Sequence, residues 1–172
     1  MKKQPLLNAE ISRSIASLGH GDLLVLADAG HAIPRDADRI DIALRPGVPS
    51  MLQVLETVLT ELRVEAYVVC EGIVAQNREL DEAYQEARPG VGRIEVPYSK
   101  LRSLVREAKS VIRTGEMTAH ANLILQRRAP LRRLPRPRRI PLPRRVMAVL
   151  AFESRTDDCA QYVPWHTLDP QR

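Results

Sequence analysis

The sequence predicts an α/β sandwich of three layers, with helices on both faces of a mainly parallel central sheet. Two observations carry that expectation. Amphipathic segments with helical spacing alternate with short, continuous apolar runs, 23–27 and 64–70, which mark strands buried on both faces. Hydrophobic residues make up 44% of the 172 and charged residues 27%, a globular balance, while aromatics are only 3%. The core must therefore be built from Leu, Val, Ile and Ala.

The elements follow in order. Asn8 is placed to cap a helix whose apolar positions Ile11, Ile15 and Leu18 recur every three or four residues, and Gly19 is expected to end it. The strand Leu23 to Ala27 stops at Asp28-Ala29-Gly30. Residues 30–49 hold Pro34, Pro46 and Pro49, so they read as irregular chain with a short strand at Ile40 to Leu44. Ser50 and Gln53 form a capping box ahead of Met51, Leu52, Leu55, Val58, Leu59 and Leu62, a strongly amphipathic helix. Val64 to Cys70 is the second core strand. Glu79 to Ala87 reads as helix, ended by Pro89-Gly90, and Ile94 to Val96 as a short extended piece. Ser99 is expected to cap a helix carrying Leu101, Leu104, Val105 and Ala108. Ser110 to Arg113 and Asn122 to Leu125 read as two more strands joined through Thr114-Gly115-Glu116. The repeated Arg-Pro-Gly-Val, at 45–48 and 88–91, has different flanks each time and is shared turn chemistry rather than a repeat.

Charge divides the chain. Residues 1–126 carry 15 basic and 17 acidic side chains, a net of −2, whereas residues 127–172 carry 11 Arg and 4 acids, a net of +7. The pI near 9.6 thus describes a short basic tail on a near-neutral body. From 127 to 145 there are nine Arg, five Pro, no acid and no Gly, which rules out a continuous helix. The expected organisation is a domain at 1–126 and an atypical Arg/Pro-rich tail at 127–172, read as a disordered, solvated appendage. A frameshift in the coding sequence would give the same kind of composition. The tail has almost no aromatics among its arginines, so stacking on nucleic-acid bases is unsupported, and Trp165 and His166 within it receive no role. No apolar run reaches the roughly 18 residues of a membrane helix, and the basic start lacks a signal peptide's long apolar segment. The chain reads as soluble and cytoplasmic, without a membrane partner. Cys70 and Cys159 are too few for a disulfide framework or a four-thiolate zinc site.

The familiar phosphate-binding patterns are missing: no G-x-G-x-x-G follows the first strand, and neither a P-loop nor a G-x-S-x-G elbow occurs. His20 lies in Gly19-His20-Gly21-Asp22, before the first strand. Asp28 ends that strand, with His31 beside it, and ligands collect outside the carboxyl ends of strands in open α/β sheets. A loop histidine beside glycines is more often a solvated turn residue than a catalyst. His20, Asp28 and His31 lack the i, i+4 spacing of a metal site, and Cys70 reads as a small buried hydrophobe. Spacing alone leaves the function open.

A resemblance narrows it. Leu7-Asn8, Leu18-Gly19-His20-Gly21-Asp22, Leu26-Ala27-Asp28-Ala29-Gly30, Arg45-Pro46-Gly47-Val48-Pro49, Val111-Ile112-Arg113-Thr114-Gly115-Glu116, Ala121-Asn122 and Ile124-Leu125-Gln126 occur in order across 1–126. Together they resemble the D-ribose pyranases over a whole family domain. The fucose mutarotases share the histidine and the Thr-Gly-Glu region, but the Asp-Ala-Gly and Pro-Gly-Val-Pro segments are closer to the ribose enzymes. The resemblance implies a ribose-pyranase-like fold and a cofactor-free isomerase, without a metal, that interconverts the β-pyranose and β-furanose forms of D-ribose. It places the proton donor at His20 and sugar-binding positions at Asp28, Tyr98, His120, Ala121 and Asn122. It also implies ring-shaped homo-oligomers, decamers, with sites completed by a neighbouring subunit.

Two positions depart from the family pattern: Tyr98 stands where His is usual and His120 where Tyr is usual, an exchange that preserves the pair if the two side chains meet. Such proton chemistry suits an imidazole, whose ordinary pKa near 6.5 lets it donate and accept at neutral pH. The alternatives are a fucose-type mutarotase, or a non-catalytic sugar-binding protein with a basic nucleic-acid-binding tail.

Overall fold

The computed structural model describes Lys3, residues 5–88 and residues 90–128. The tail from 129 onwards, with Cys159, Trp165 and His166, lies outside the described residues. In chain order the elements are α1 (Ala9–Ser17), β1 (Leu23–Ala27), β2 (Arg39–Asp41), α2 (Met51–Leu59), β3 (Val64–Cys70), α3 (Ile73–Gln76), α4 (Arg78–Ala87), β4 (Gly92–Val96), α5 (Tyr98–Glu107), β5 (Ser110–Arg113) and β6 (Leu123–Arg127). Among these, no helix is long and apolar enough to cross a membrane.

Local chemistry sets the helix starts. The Asn8 side chain accepts from the Ile11 amide at 3.0 Å. Ser50 and Gln53 close the expected capping box, each side chain satisfying the other's main-chain amide. Several boundaries and one element differ from expectation. Helix α1 ends at Ser17 with an extended Leu18, and the left-handed backbone falls on Gly21, at φ +81°, rather than on Gly19. Helix α5 begins at Tyr98 with Pro97 at its cap, because proline's fixed φ suits a helix entrance; the Ser99 hydroxyl is not the cap. The short α3 before α4 carries too few residues to show a period.

The six strands form one sheet in the order β2-β5-β1-β6-β3-β4. Pairs β1–β5, β2–β5 and β3–β4 are parallel, and β6 runs antiparallel to both β1 and β3. Five strands thus point one way and β6 alone the other. Strands β5 and β6 are joined by residues 114–122 with no crossover helix, and a link that short returns the chain antiparallel. The reversal puts the start of β6 at the same edge as the ends of β1 and β5.

The period of two along each strand divides the core. Leu24 and Leu26 of β1, Tyr67 and Val69 of β3 and Leu123 and Leu125 of β6 face Ile11, Ile15, Met51, Val54, Leu55, Val58, Leu80 and Tyr84. Val25, Ala27, Val68, Cys70, Val111 and Ile124 face Leu101 and Val105 of α5, with Ile33 and Ala37 of the 30–38 loop beside them. The three layers are therefore unequal: α1, α2, α3 and α4 cover one face, α5 and a loop the other. Burying each such Leu, Ile or Val contributes about 1.5–3 kcal/mol.

Candidate functional site

Three of the sequence segments singled out above interlock at the carboxyl edge of the sheet. Thr114, fully buried, donates its amide and its hydroxyl to the Ala27 carbonyl at 2.9 and 3.0 Å, extending the β1–β5 pairing by one residue. The Ala29 amide donates to the Glu116 carbonyl at 2.8 Å, the Gly47 amide to the Gly115 carbonyl at 2.6 Å, and the Gly115 amide to the Pro49 carbonyl at 2.9 Å. A Cβ on Gly115 would lie 2.3 Å from the Val48 carbonyl oxygen, so only glycine lets the two loops approach this closely. Arg113 ties the same region together, donating to the Ala29 carbonyl at 2.8 and 3.0 Å and to Asp41.

Glu116 is a keystone of the interlock. Its carboxylate accepts from the amides of Met117 and Thr118, from the Thr118 hydroxyl and from the amide of Met51, the first residue of α2. Burial alone would push this carboxyl up. The hydrogen bonds from Thr118, Met51 and Met117 more than offset it and hold it below the ordinary glutamate range, and a negative charge at a helix start is further favoured by the helix dipole.

On this frame sit the sugar-binding candidates. Asn122, nine-tenths buried just before β6, accepts from the Asp28 amide at 3.0 Å and donates to the Asp28 carboxylate at 2.5 Å. The other carboxylate oxygen accepts from the Gly30 amide at 2.9 Å. A carboxylate offers about four lone-pair sites, so two remain to receive ligand hydroxyls. Ala121 is fully buried, and its carbonyl accepts from the Tyr84 hydroxyl at 2.7 Å. Tyr84, deep in the first core layer, has its hydroxyl's pKa pushed up by burial and by the nearby charges of Glu116 and Asp28. His120 has a left-handed backbone, φ +60°, a sparsely populated state outside glycine that turns the loop into β6.

Tyr98, at the first turn of α5, is half exposed. The ring it meets is that of His31, edge-on, with centroids 6.4 Å apart and planes at 82°. His31 is itself buried beside Asp28, and its amide donates to the Asp28 carbonyl at 3.3 Å. Burial holds its imidazole below the ordinary histidine range, with Asp28 pulling the other way and Arg102 reinforcing the shift.

His20 stands apart. Its side chain is 61% exposed at the opposite edge, with Nδ1 3.9 Å from the Glu65 carboxylate. The loop carrying it is held by the Gly21 amide donating to the Arg127 carbonyl, the Arg127 amide to the Asp22 carbonyl, and the Gly19 amide to the Asp22 carboxylate at 2.7 Å. Between His20 and Asp28 runs the five-residue β1, about 17 Å at 3.3–3.4 Å per residue, longer than a monosaccharide. Within one chain the structure brings together Asp28, Asn122 and Ala121, sets Tyr98 beside them through His31, and leaves His20 outside the group.

An apolar groove of about 400 Å³ lies between α1 and α2, lined by Leu6, Leu7, Ile11, Pro49 and Val54 among others; its polar side chains, Asn8, Gln53 and Thr57, include no titratable group, so it cannot perform acid–base work. Cys70 is buried in β3 as expected, its thiol pushed up by burial. Sequence reasoning assigned no part to Tyr84 or Glu116. The Thr-Gly-Glu segment carried a signal for Glu116, whereas Tyr84 looks like any apolar position of an amphipathic helix.

The pattern of the RbsD / FucU transport protein family matches residues 1–128. The D-ribose pyranase of Geobacillus kaustophilus is 44% identical over 126 residues, which is 73% of this chain and 93% of that one. The D-ribose pyranase of Symbiobacterium thermophilum is also 44% identical over 126 residues, 73% of this chain and 96% of its own. The structure of Bacillus subtilis RbsD complexed with D-ribose is similar with a TM-score of 0.72 at 34% identity, covering 75% of this chain and 98% of that one. The fucose mutarotase of Streptococcus pneumoniae in complex with L-fucose reaches a TM-score of 0.64 at 18% identity, covering 75% and 99%, a likeness of fold alone.

Proposed function

Because the chain belongs to the RbsD / FucU family, we propose that it is a D-ribose pyranase, an isomerase interconverting the β-pyranose and β-furanose forms of D-ribose. The 44% identity to D-ribose pyranases over nearly their whole length supports ribose over fucose, since the fucose mutarotase is similar only at 18%. The observation that carries the reading is the Asp28–Asn122 pair, which offers a fixed carboxylate at the carboxyl edge of the sheet.

The reaction moves protons and one C–O bond. In ring opening the anomeric hydroxyl loses its proton, the bond between C1 and the ring oxygen breaks, and that oxygen gains a proton. The open-chain aldehyde then closes through a different hydroxyl, which attacks C1 and loses its proton as the carbonyl oxygen gains one. An imidazole that can donate and accept at neutral pH serves both halves, and such help contributes about 10²–10⁴-fold. His20 is that group. Asp28, Tyr98, His120, the Ala121 segment and Asn122 hold the sugar's hydroxyls through charged and neutral hydrogen bonds.

The site is shared. As β1 separates His20 from Asp28 in one chain, His20 of the partner subunit reaches the Asp28 edge of its neighbour in a homo-oligomer, a ring of ten by family resemblance. The exposed apolar side chains Leu7, Leu44, Ile94 and Met117 fit an assembling surface.

Saturation-transfer NMR between ribose anomers tests the activity: the wild-type protein accelerates exchange and His20→Ala loses most of the acceleration. Native mass spectrometry reads the assembly, and co-assembled His20→Ala and Asp28→Asn chains recover exchange that neither has alone. Full exchange by His20→Ala, or no recovery on mixing, overturns the assignment of His20 or the sharing of the site respectively.

A further inference from the structure

Resting on the reading that the carboxyl edge binds a pentose, we propose that His31 is a sugar-contacting residue that sets specificity, covered by Tyr98 until the sugar arrives. His31 is 9% exposed, and neither Nδ1 nor Nε2 has a hydrogen-bond partner among the described residues. Buried polar groups are almost always paired, and leaving one unpaired is costly. A side chain needed only to fill space beside Ile33 and α5 would be apolar. The imidazole is kept where its two nitrogens have nothing to bind in the free chain.

Its place says what they bind. His31 lies three residues after Asp28, its amide on the Asp28 carbonyl, and its ring is close enough to feel both the Asp28 carboxylate and the Arg102 guanidinium. The only ring packed on it among the described residues is Tyr98, edge-on, and Tyr98 is half exposed. The phenol turns on two side-chain bonds, so moving it outward uncovers the imidazole on the Asp28 side without disturbing the backbone. A neutral imidazole presents one donor and one acceptor. On the Asp28 side one ring nitrogen meets a single sugar hydroxyl, donating to it or accepting from it, while Asp28, an acceptor only, receives the hydroxyl next to it. Together the two side chains read the relative orientation of adjacent hydroxyls, the feature that distinguishes one aldose from another.

The test uses the full chain with His31→Leu and His31→Gln. His31→Leu raises the KM for ribose exchange about tenfold, as expected for losing one neutral hydrogen bond. Its kcat is nearly unchanged and its melting temperature equal or higher, because an unpaired polar group leaves the interior. His31→Gln, which keeps a donor and an acceptor, recovers much of the affinity. In wild-type protein with labelled histidine, ribose shifts the ring resonances that are missing from the His31→Leu spectrum. A wild-type KM in His31→Leu, or His31 ring signals unmoved at saturating ribose while exchange is normal, overturns the role of His31 and leaves the pyranase reading standing. Absence of ribose exchange in the wild-type protein overturns both.

Discussion

Asn122 grips Asp28 at two points, taking its main-chain amide and giving to its carboxylate, across the antiparallel pairing of β1 and β6. The grip fixes the carboxylate without neutralising it. Asn122→Ala leaves the Asp28 amide and one carboxylate oxygen without their partner. The expected result is a loss of about 1–3 kcal/mol in denaturant unfolding together with at least a tenfold fall in kcat/KM for ribose exchange. Asn122→Asp sets two carboxylates against each other, so its activity should be weaker still at neutral pH and partly return on acidification.

Gly115 permits the closest approach in the site frame. Gly115→Ala forces a Cβ to within 2.3 Å of the Val48 carbonyl oxygen, a main-chain atom that cannot swing away. The interlock must open, at a cost of about 3 kcal/mol, and exchange activity should be lost along with it. A melt and an exchange assay on the same sample check both.

Acid stability should have two steps of the same sign. Buried His31 resists protonation, so its folded-state pKa lies below the unfolded value, 6.5. As pH falls below that value the unfolded chain takes up a proton the native chain refuses, and stability declines. Glu116 is held below its unfolded value, 4.5, by its hydrogen bonds. Its contribution is fully present above pH about 4.5 and disappears as pH falls through the folded value. Denaturant midpoints measured from pH 8 to 3 should show His31→Leu losing the first decline and Glu116→Gln losing the second.

By the family resemblance, Tyr98 stands where His is expected and His120 where Tyr is expected. Tyr98→Phe and His120→Phe should each weaken ribose binding several-fold by removing one polar contact, read by titration calorimetry. Wild-type affinity in both would show that the exchange of side chains has no bearing on the sugar. Because the ring Tyr98 touches is His31, Tyr98→Phe should keep that packing and leave the melting temperature unchanged.

Much of this molecule was legible in the chain because its signals are local. A cap is satisfied within three residues, so Asn8 and the Ser50–Gln53 box declared their helices. A buried strand shows itself by composition alone, so Leu23–Ala27 and Val64–Cys70 were plain. His20 and Asp28 fall on either side of the first strand in the sequence, which already assigns them to opposite edges. Local signals compete at the end of α1: Gly19 and Gly21 are equally glycine, and loop hydrogen bonding to Arg127 and Asp22 places the left-handed turn at the second.

The chain alone carries every helix and strand except the short α3, the near-neutral body with its basic tail, and a family pattern strong enough to name candidate residues. That β6 runs against its neighbours emerges only in the folded sheet, since strand direction depends on which strands lie side by side and how the linking loop returns. That reversal brings Asn122 to Asp28 across 94 positions. It also took packing against α5, 67 residues further along, to show that His31 is buried beneath Tyr98 with its nitrogens unpaired. Burial and hydrogen-bond partnership are properties of what surrounds a side chain, and the surroundings exist only once the chain has folded.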